Sequence, residues 1–211
     1  MALLATATSL LAQEATAPAY KVGDTWRWRE HDLLTKNEVA RYAERIRAVT
    51  GNDYWVAVDA GNRAGLWRGN LAKAARVEQF APVAEIEQRG APIGSADGGF
   101  AMRWPVKVGD TFDCTENAAF SNGWKLKYEL KCTVEAAETI EVPAGKFETL
   151  RITAKGYFNN VTNNTNGRHE RTLWYAPAVR GEVKREIRTW LQKSQPYRVE
   201  GHELLEFTPG A

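Results

Sequence analysis

A five-residue segment occurs twice in this chain. Lys-Val-Gly-Asp-Thr begins at position 21 and again at position 107, a spacing of 86 residues, and an aromatic residue follows each copy, Trp26 and then Phe112. This spacing is too long for a solenoid repeat. Gly-Asp is typical of a turn between extended segments. The repeat therefore predicts one β unit that is used twice, each copy beginning at a Gly-Asp turn that leads into a strand.

The N-terminal segment has the composition of an export signal. Residues 2–12 contain four leucines and no charge, which is about the length of a signal-peptide apolar region and too short to cross a bilayer. No basic residue precedes this run, so a loose Ala-rich tail is the alternative interpretation. We assign residues 1–19 to a signal peptide, with cleavage after Ala12, Ala17 or Ala19. This predicts a periplasmic or secreted protein, and no other stretch is apolar enough to be a transmembrane segment.

The charge distribution argues against a nucleic-acid partner. The 211 residues include 28 basic and 26 acidic side chains, with a net charge of +2, and the two signs are interspersed without a polybasic patch. Charged runs such as Lys184-Arg185-Glu186 are interpreted as solvent-facing strand positions with cross-strand pairs. The 8 Trp, 7 Tyr and 7 Phe are scattered along the chain, which favours several aromatic-rich strands.

The two cysteines lie on the two predicted strands of one hairpin. Every even-numbered residue from 124 to 134 is apolar, and the odd positions between them are Lys, Glu or Thr. This strict alternation predicts a half-buried antiparallel strand. Ser-Asn-Gly at 121–123 predicts the turn that precedes it. Folding the hairpin there brings Cys114 and Cys132 opposite each other, so we predict a disulfide, with two buried free thiols as the alternative.

The domain organisation follows from the repeat and from one small-residue segment. Residues 20–89 form a first β half, residues 90–103 a Gly- and Ala-rich linker, and residues 104–211 a second β half packed with the first as one domain. Strands and turns alternate about every ten residues. We therefore predict an all-β fold, an antiparallel meander that forms a curved sheet or half-barrel from two related halves.

One stretch of the first half fits two kinds of secondary structure. Thr35 with Glu38 resembles a helix capping box, and the apolar residues of 39–46 have helical spacing. The matching position in the second copy is the alternating strand, so we predict a strand for 38–49. The second half is predicted to contain a polar hairpin loop at 159–167 and strands at 111–116, 124–135, 139–142, 147–157, 168–175, 181–191 and 202–208.

Three motifs of the second half resemble a known group of proteins. They are residues 104–111, residues 141–152 with the pattern V-P-A-G-x-F-x-T-L-R-I, and residues 173–184 with the pattern W-Y-A-P-x-V. These patterns resemble secreted bacterial proteins of unknown function, one set of which is labelled TapB-like, over about residues 20–208. The resemblance implies an antiparallel β fold similar to the half-barrels that carry lipoproteins across the periplasm, and it implies no activity.

No set of residues predicts catalysis, metal binding or a cofactor. Ser95 lies in Gly-Ser-Ala-Asp-Gly, which does not match the nucleophile elbow of hydrolases. His169-Glu170 begins like a zinc-binding helix, but Leu173 occupies the position of the second histidine. A zinc site would require three histidines to converge: His31, His169 and His202. We therefore predict no catalytic residue, no metal ligand and no cofactor.

The aromatic residues supply the candidate binding site. Trp26 and Trp28 are two residues apart and share one face of a predicted strand. Leu126 and Tyr128 occupy the equivalent face in the second copy. We predict that these four side chains line a common apolar interior, which in a barrel of this size could hold one small ligand or an acyl chain.

Three functions are compatible with these features. The preferred one is a non-catalytic binding or carrier module for an apolar small molecule or an envelope protein. The alternatives are a hydrolase that acts on an envelope polymer and a structural module whose sheet edge docks a partner. A Trp- and Tyr-lined cavity would favour the first, His169 or His202 beside carboxylates in a cleft the second, and a filled core with an open edge strand the third. Neither ligand identity nor oligomeric state follows from the sequence.

Overall fold

The computed structural model describes residues 14–59, 65–71, 75–79, 102–119, 125–191, 196 and 198–211. Within these ranges the chain is β-strand almost throughout, with one three-residue 3-10 turn at Pro177–Val179. The all-β prediction is confirmed. Most of the predicted signal peptide, residues 1–13, lies outside the described residues, as do residues 90–101 of the predicted linker and the turn at 121–123. No helix in the described ranges is long and apolar enough to span a membrane.

Strand β1 (Glu14–Ala15) lies within the segment predicted to be the signal peptide, and the other strands form two groups that correspond to the two halves. The first group is β2 (Thr25–Asp32), β3 (Glu38–Thr50), β4 (Asp53–Asp59), β5 (Gly65–Asn70) and β6 (Ala75–Gln79). The second group is β7 (Val106–Lys107), β8 (Thr111–Ala119), β9 (Lys125–Val142), β10 (Gly145–Asn160), β11 (Thr165–Ala176), β12 (Gly181–Trp190) and β13 (Arg198–Thr208).

The long strands form one strongly curved antiparallel sheet. Its order is β10-β11-β12-β13-β2-β3-β4-β5-β6-β8-β9, and the last strand of this order, β9, pairs with the first, β10. The halves join along β13 and β2, where Glu200 to Thr208 pair with Asp32 to Thr25. The two edges of the meander meet at β6 and β8, where the described residues form a parallel pairing of only two residue pairs. Curvature thus brings the edges together and creates a concave interior.

The repeated segment forms the same turn in both copies. Gly23 and Gly109 have φ angles of +93° and +94°, a conformation that glycine adopts without a Cβ clash. Each Gly N–H donates to the carbonyl of the second strand of its hairpin, at Ile46 and Val134, with an N···O distance of 2.9 Å in both copies. The carboxylate of each Asp, residues 24 and 110, accepts a hydrogen bond from the backbone N–H three residues before it. The β2–β3 and β8–β9 hairpins are therefore structural equivalents.

The ambiguous stretch at 38–49 is a strand, as predicted, within β3. The separate strands predicted at 124–135 and 139–142 are wrong, because β9 is continuous from 125 to 142. Its register shifts where Ala136 and Val134 pair with Arg151 and Ile152, which leaves Glu135 as a bulge residue. The bulge reverses which parity faces inward, and this reversal interrupts the alternation while the strand continues.

The predicted disulfide between Cys114 and Cys132 is present, with a Cα–Cα distance of 5.9 Å, and both cysteines are fully buried. The expectation that they lie directly opposite each other is wrong. Cys114 pairs with Leu130, and Cys132 pairs with Phe112, so the disulfide joins diagonal neighbours on the inner face. Direct opposition of the two cysteines would require the register between β8 and β9 to be shifted by two residues.

A short two-stranded ribbon adds to the core. β1 pairs with β7, and the paired residues Ala15 and Val106 are both buried. They pack in the same hydrophobic cluster as the disulfide and the inner faces of β9, β10 and β11. A second cluster contains Trp26, Trp28 and Ile46 of the first half. The ribbon therefore packs within the core of the sheet, near the end where β2 begins and β11 finishes.

Candidate functional site

A cavity of about 120 Å³ opens between the two halves. It is bounded by the beginning of β2, the middle of β3, the beginnings of β4 and β12, and the end of β11, together with the chain segments around β1 and β7. Its lining residues are Pro18, Tyr20, Trp26, Trp28, Glu44, Ile46, Tyr54, Val56, Asn70, Leu71, Met102, Trp104, Leu173, Tyr175, Arg180, Gly181, Glu182 and Arg185. The wall is mainly apolar and aromatic, with a few charged groups, which is the usual composition of a small-molecule site.

The aromatic side chains of the wall support one another. Tyr20 packs edge-on against Trp26 at a ring-centroid distance of 6.0 Å and lies 4.7 Å from Tyr54. On the opposite half, the rings of Trp104 and Tyr175 are 5.0 Å apart. Contacts of this kind add to the free energy of burying the rings and restrict their orientation. The wall is therefore held in shape from both halves of the sheet.

Trp26 and Trp28 differ in how their indole N–H groups are satisfied. Trp26 Nε1 donates to the carbonyl of Val179 over 2.9 Å. Trp28 is only 3% exposed, and its Nε1 has no hydrogen-bond acceptor among the described residues. A buried donor without an acceptor is costly, so such a group needs an explanation. Two neighbouring tryptophans on one face thus present one satisfied and one unsatisfied donor.

Charged groups lie at the Trp28 side of the cavity. Arg185 Nη1 is 3.5 Å from Glu182 Oε2, and its guanidinium lies 5.8 Å from the ring centroid of Trp28. Glu182 Oε2 is buried and accepts no hydrogen bond within the described part of the chain. Arg185 Nη2 donates to the hydroxyl of Tyr42 over 3.0 Å. Burial raises the pKa of Tyr42, so its hydroxyl stays protonated at neutral pH.

Behind this wall lies a second polar group, centred on the buried side chain of His202. Tyr42 Oη is 3.0 Å from His202 Nδ1, and His202 Nε2 is 3.6 Å from Glu200 Oε2. Burial, aided by the positive charge of Arg185, lowers the pKa of His202 to about 4, although Glu200 opposes the shift. Burial alone would raise the pKa of Glu200, but its contacts with His202 and Arg198 lower it to about 2. At neutral pH the pair is therefore a neutral imidazole beside a carboxylate.

The four residues predicted to form one apolar interior are divided between two places. Trp26 and Trp28 line the cavity. Tyr128 instead packs against Phe158 and His169, at ring distances of 6.2 and 4.8 Å, and it does not line the cavity. Leu126 pairs with Asn160 beyond Tyr128 on the same strand. The side chains share the concave face but lie at different heights along it. A ligand role for all four stays a prediction.

The histidines do not converge. His169 Nδ1 contacts the Thr189 hydroxyl over 3.0 Å, and His202 contacts Tyr42 and Glu200. His31 lies beside the loop after β2, close to Gly201. No group of three or more His, Cys, Asp or Glu residues that could hold a metal ion is found in the described ranges.

Sequence reasoning missed the charged part of the cavity. The interpretation of Lys184-Arg185-Glu186 as a solvent-facing run is wrong for Arg185, whose side chain is only 13% exposed and donates to the hydroxyl of Tyr42. Arg185 pairs with the buried Leu173 of the inner face. Arg185 is two residues from apolar Ile187 and therefore shares its face of the strand, which was the available indication that Arg185 faces inward. Glu182 and Arg180 carried no such signal, because they follow the 3-10 turn at the beginning of β12.

Comparison with known proteins identifies the fold but no family. No protein-family model matches the chain, and a search of curated proteins finds no match. A solved structure of a candidate lipoprotein from Parabacteroides distasonis has a TM-score of 0.54 at 11% identity, covering 92% of this chain and 98% of that chain. A candidate exported protein with a YmcC-like fold from Bacteroides fragilis has a TM-score of 0.46 at 11% identity, covering 92% of this chain and 99% of that one.

Proposed function

We propose that this protein is an exported, non-catalytic binding or carrier module of the bacterial envelope, whose interior cavity holds an apolar ligand. The observation that carries this proposal is the aromatic-lined cavity between the two halves, with Trp26, Trp28, Tyr54 and Tyr175 in its wall. A cavity lined by aromatic groups favours an apolar occupant.

The volume limits what can enter. Cavities of roughly 150 Å³ with apolar walls bind single rings such as benzene, whereas drug-sized ligands need roughly 300 Å³ or more. A cavity of about 120 Å³ therefore fits one ring or the end of an acyl chain. A complete lipid would have to leave most of its chain outside. The proposed ligand is thus a small apolar molecule or the tip of a larger one.

Three observations support export. The buried disulfide between Cys114 and Cys132 is typical of proteins in oxidising compartments. The apolar segment at residues 2–12 has the length of a signal-peptide core. The Parabacteroides distasonis structure with the same fold is that of a candidate lipoprotein. The resemblance to secreted, TapB-like proteins agrees with these features, and we propose it as the chain's affiliation.

The fold supports one of the three candidate cleavage sites. Ala15 pairs with Val106 in the short ribbon and is buried, and Pro18 is part of the cavity wall. Cleavage after Ala17 or Ala19 would remove strand β1 from the mature protein, whereas cleavage after Ala12 would retain it. We therefore propose cleavage after Ala12, and the mature exported protein should have the mass of a chain that begins at Gln13.

The two alternative functions receive less support. His202 does meet a carboxylate, as a hydrolase would require, but neither His202 nor Glu200 is part of the cavity lining, and the described lining contains no Ser, Thr or Cys nucleophile. A docking module was expected to combine a filled core with an open edge. Here there is a cavity, and the sheet edges meet at β6 and β8.

Native mass spectrometry of the oxidised protein, purified from the bacterial envelope, tests the proposal. We expect an additional mass that organic extraction releases. Val56→Phe places a ring on the cavity wall and should abolish the additional mass. Val49→Phe, on the adjacent strand at a 37% exposed position, is the matched control and should retain it. A clean apo mass for the unmodified protein would contradict the carrier proposal and favour a protein-docking role.

A further inference from the structure

One segment of the cavity wall separates the cavity from solvent by a single layer of chain. This segment, residues 14–20, begins at strand β1 and ends at the first copy of the repeated turn. Within it Ala15 and Pro18 are buried, and Pro18 lines the cavity. Ala17 and Ala19, the two neighbours of Pro18, are exposed. The segment therefore has one face on the cavity and the other in solvent, and we call residues 14–20 the strap.

The two ends of the strap are held very differently. Directly after its C-terminal end, the backbone amide of Lys21 donates to the carboxylate of Asp24 over 2.8 Å. That carboxylate is buried and also accepts hydrogen bonds from Arg180 and Gly210. At the N-terminal end, β1 forms two residue pairs with β7, and these two strands make up a sheet separate from the large one. The N-terminal end is therefore the weaker attachment.

Most of the remaining wall is more firmly connected. Its lining residues belong mainly to β2, β3, β4, β11 and β12, each of which is paired with a neighbouring strand on both sides over several residues. A passage between two of these strands would require many ladder hydrogen bonds to break together. Local opening takes place where few contacts hold a segment, and terminal segments open most readily. In the mature chain proposed above, β1 directly follows the N-terminal residue.

Resting on the proposed function, we infer that the strap is the entrance of the cavity, and that the ligand enters and leaves when β1 separates from β7. Tyr20 is the last residue that moves, because the backbone amide of Lys21 is held by Asp24. The ring of Tyr20 packs against Trp26 and Tyr54, so its movement uncovers two aromatic rings of the wall. When β1 and β7 pair again, the strap covers the bound ligand.

A reversible covalent tether between the two short strands tests this inference. Glu14 and Lys107 are exposed and directly paired, so Glu14→Cys with Lys107→Cys places two thiols at a separation that a disulfide can span. A mild reductant opens this exposed bond, whereas the native disulfide is fully buried. The matched control is Lys127→Cys with Asn159→Cys, an exposed pair of β9 and β10 that lies outside the cavity lining.

The measured quantity is the rate at which toluene leaves the mature, oxidised protein, followed by NMR exchange spectroscopy with the tether closed and then opened by reductant. Closing the strap tether should slow toluene release by about tenfold or more, because the remaining routes require the long strands to open. The affinity should stay within about twofold, since the tether retains the closed conformation that binds the ligand. Closing the control tether should leave the release rate unchanged within about twofold.

The outcomes separate this inference from the proposed function. If toluene binds and leaves at the same rate with the strap tether closed or open, the strap is not the entrance, and the proposed function stands without it. Equal slowing by the control tether would also overturn the inference. A cysteine pair at 14 and 107 that does not oxidise would contradict the pairing of β1 with β7 on which the strap depends. If toluene binds neither variant nor the unmodified protein, the proposed function fails together with the inference.

Discussion

The repeated turn permits a stability prediction with a matched control. Asp24 and Asp110 occupy equivalent positions, and each accepts a hydrogen bond from the backbone N–H of the Lys three residues earlier, over 2.8 and 2.9 Å respectively. Asp24 is fully buried and also accepts from Arg180 Nη1 over 2.6 Å and from the Gly210 N–H over 2.8 Å. Asp110 is partly exposed. Asp24 therefore accepts more hydrogen bonds than Asp110, although the two residues occupy the same position in the repeated turn.

The magnitudes follow from these contacts. Asp110→Ala removes one exposed backbone hydrogen bond and should lower the free energy of unfolding by about 1 kcal/mol. Asp24→Ala removes three acceptor contacts and leaves the Arg180 guanidinium without its buried partner, which should cost about 3–5 kcal/mol. The expected difference between the two variants is thus about 2–4 kcal/mol, with Asp24→Ala the less stable.

Urea unfolding of the oxidised protein, followed by tryptophan fluorescence, measures both variants against the unmodified chain. The comparison requires similar m-values, since a changed slope would indicate a different unfolded or native state. Equal destabilisation by the two substitutions, within about 1 kcal/mol, would refute the reasoning. It would mean that the contacts of Asp24 with Arg180 and Gly210 contribute nothing beyond the turn itself.

Three further perturbations should have measurable effects. The pKa of His202 is about 4 in the folded protein and about 6.5 in the unfolded chain. The free energy of unfolding should therefore fall by up to about 3 kcal/mol as the pH decreases from 6.5 to 4. His202→Gln should flatten this pH dependence in urea titrations. Reducing the Cys114–Cys132 disulfide should lower the free energy of unfolding by roughly 3 kcal/mol, measured by urea unfolding with and without reductant; an unchanged midpoint would contradict this. Gly145 has a φ of +132°, so Gly145→Ala should destabilise by about 1–3 kcal/mol in thermal unfolding, and no loss would contradict the assigned turn.

The local features of the fold were accessible from the sequence because they depend on neighbouring residues. Period-two alternation identified the strand that begins near residue 125, and the repeated turn led to the correct assignment of residues 38–49 as strand. The alternation could not reveal that β9 continues past Glu135. A bulge changes the parity of the apolar pattern without ending the strand. The sequence pattern is then the same as where one strand ends and another begins.

The candidate site was harder to predict because it depends on long-range pairing. Trp26 and Trp28 were identified from their shared face, and they line the cavity. Their partners there come from β4, β11 and β12, which reach them only through the pairing of β13 with β2 and through the curvature of the sheet. Nothing in the local sequence placed Glu182 and Arg185 beside Trp28. Tyr128 shares the inner face, but its height along the sheet separates it from the cavity.

If the protein is a binding module, its interior cavity must accept a ring-sized apolar ligand. The decisive measurement is a crystal structure of the oxidised protein soaked with toluene. We expect electron density for one ring in contact with Trp28, Tyr54 and Tyr175, with the surrounding side chains in the positions described above. A cavity closed by movement of those side chains, or one filled by a hydrogen-bonded water cluster with no toluene density, would contradict it.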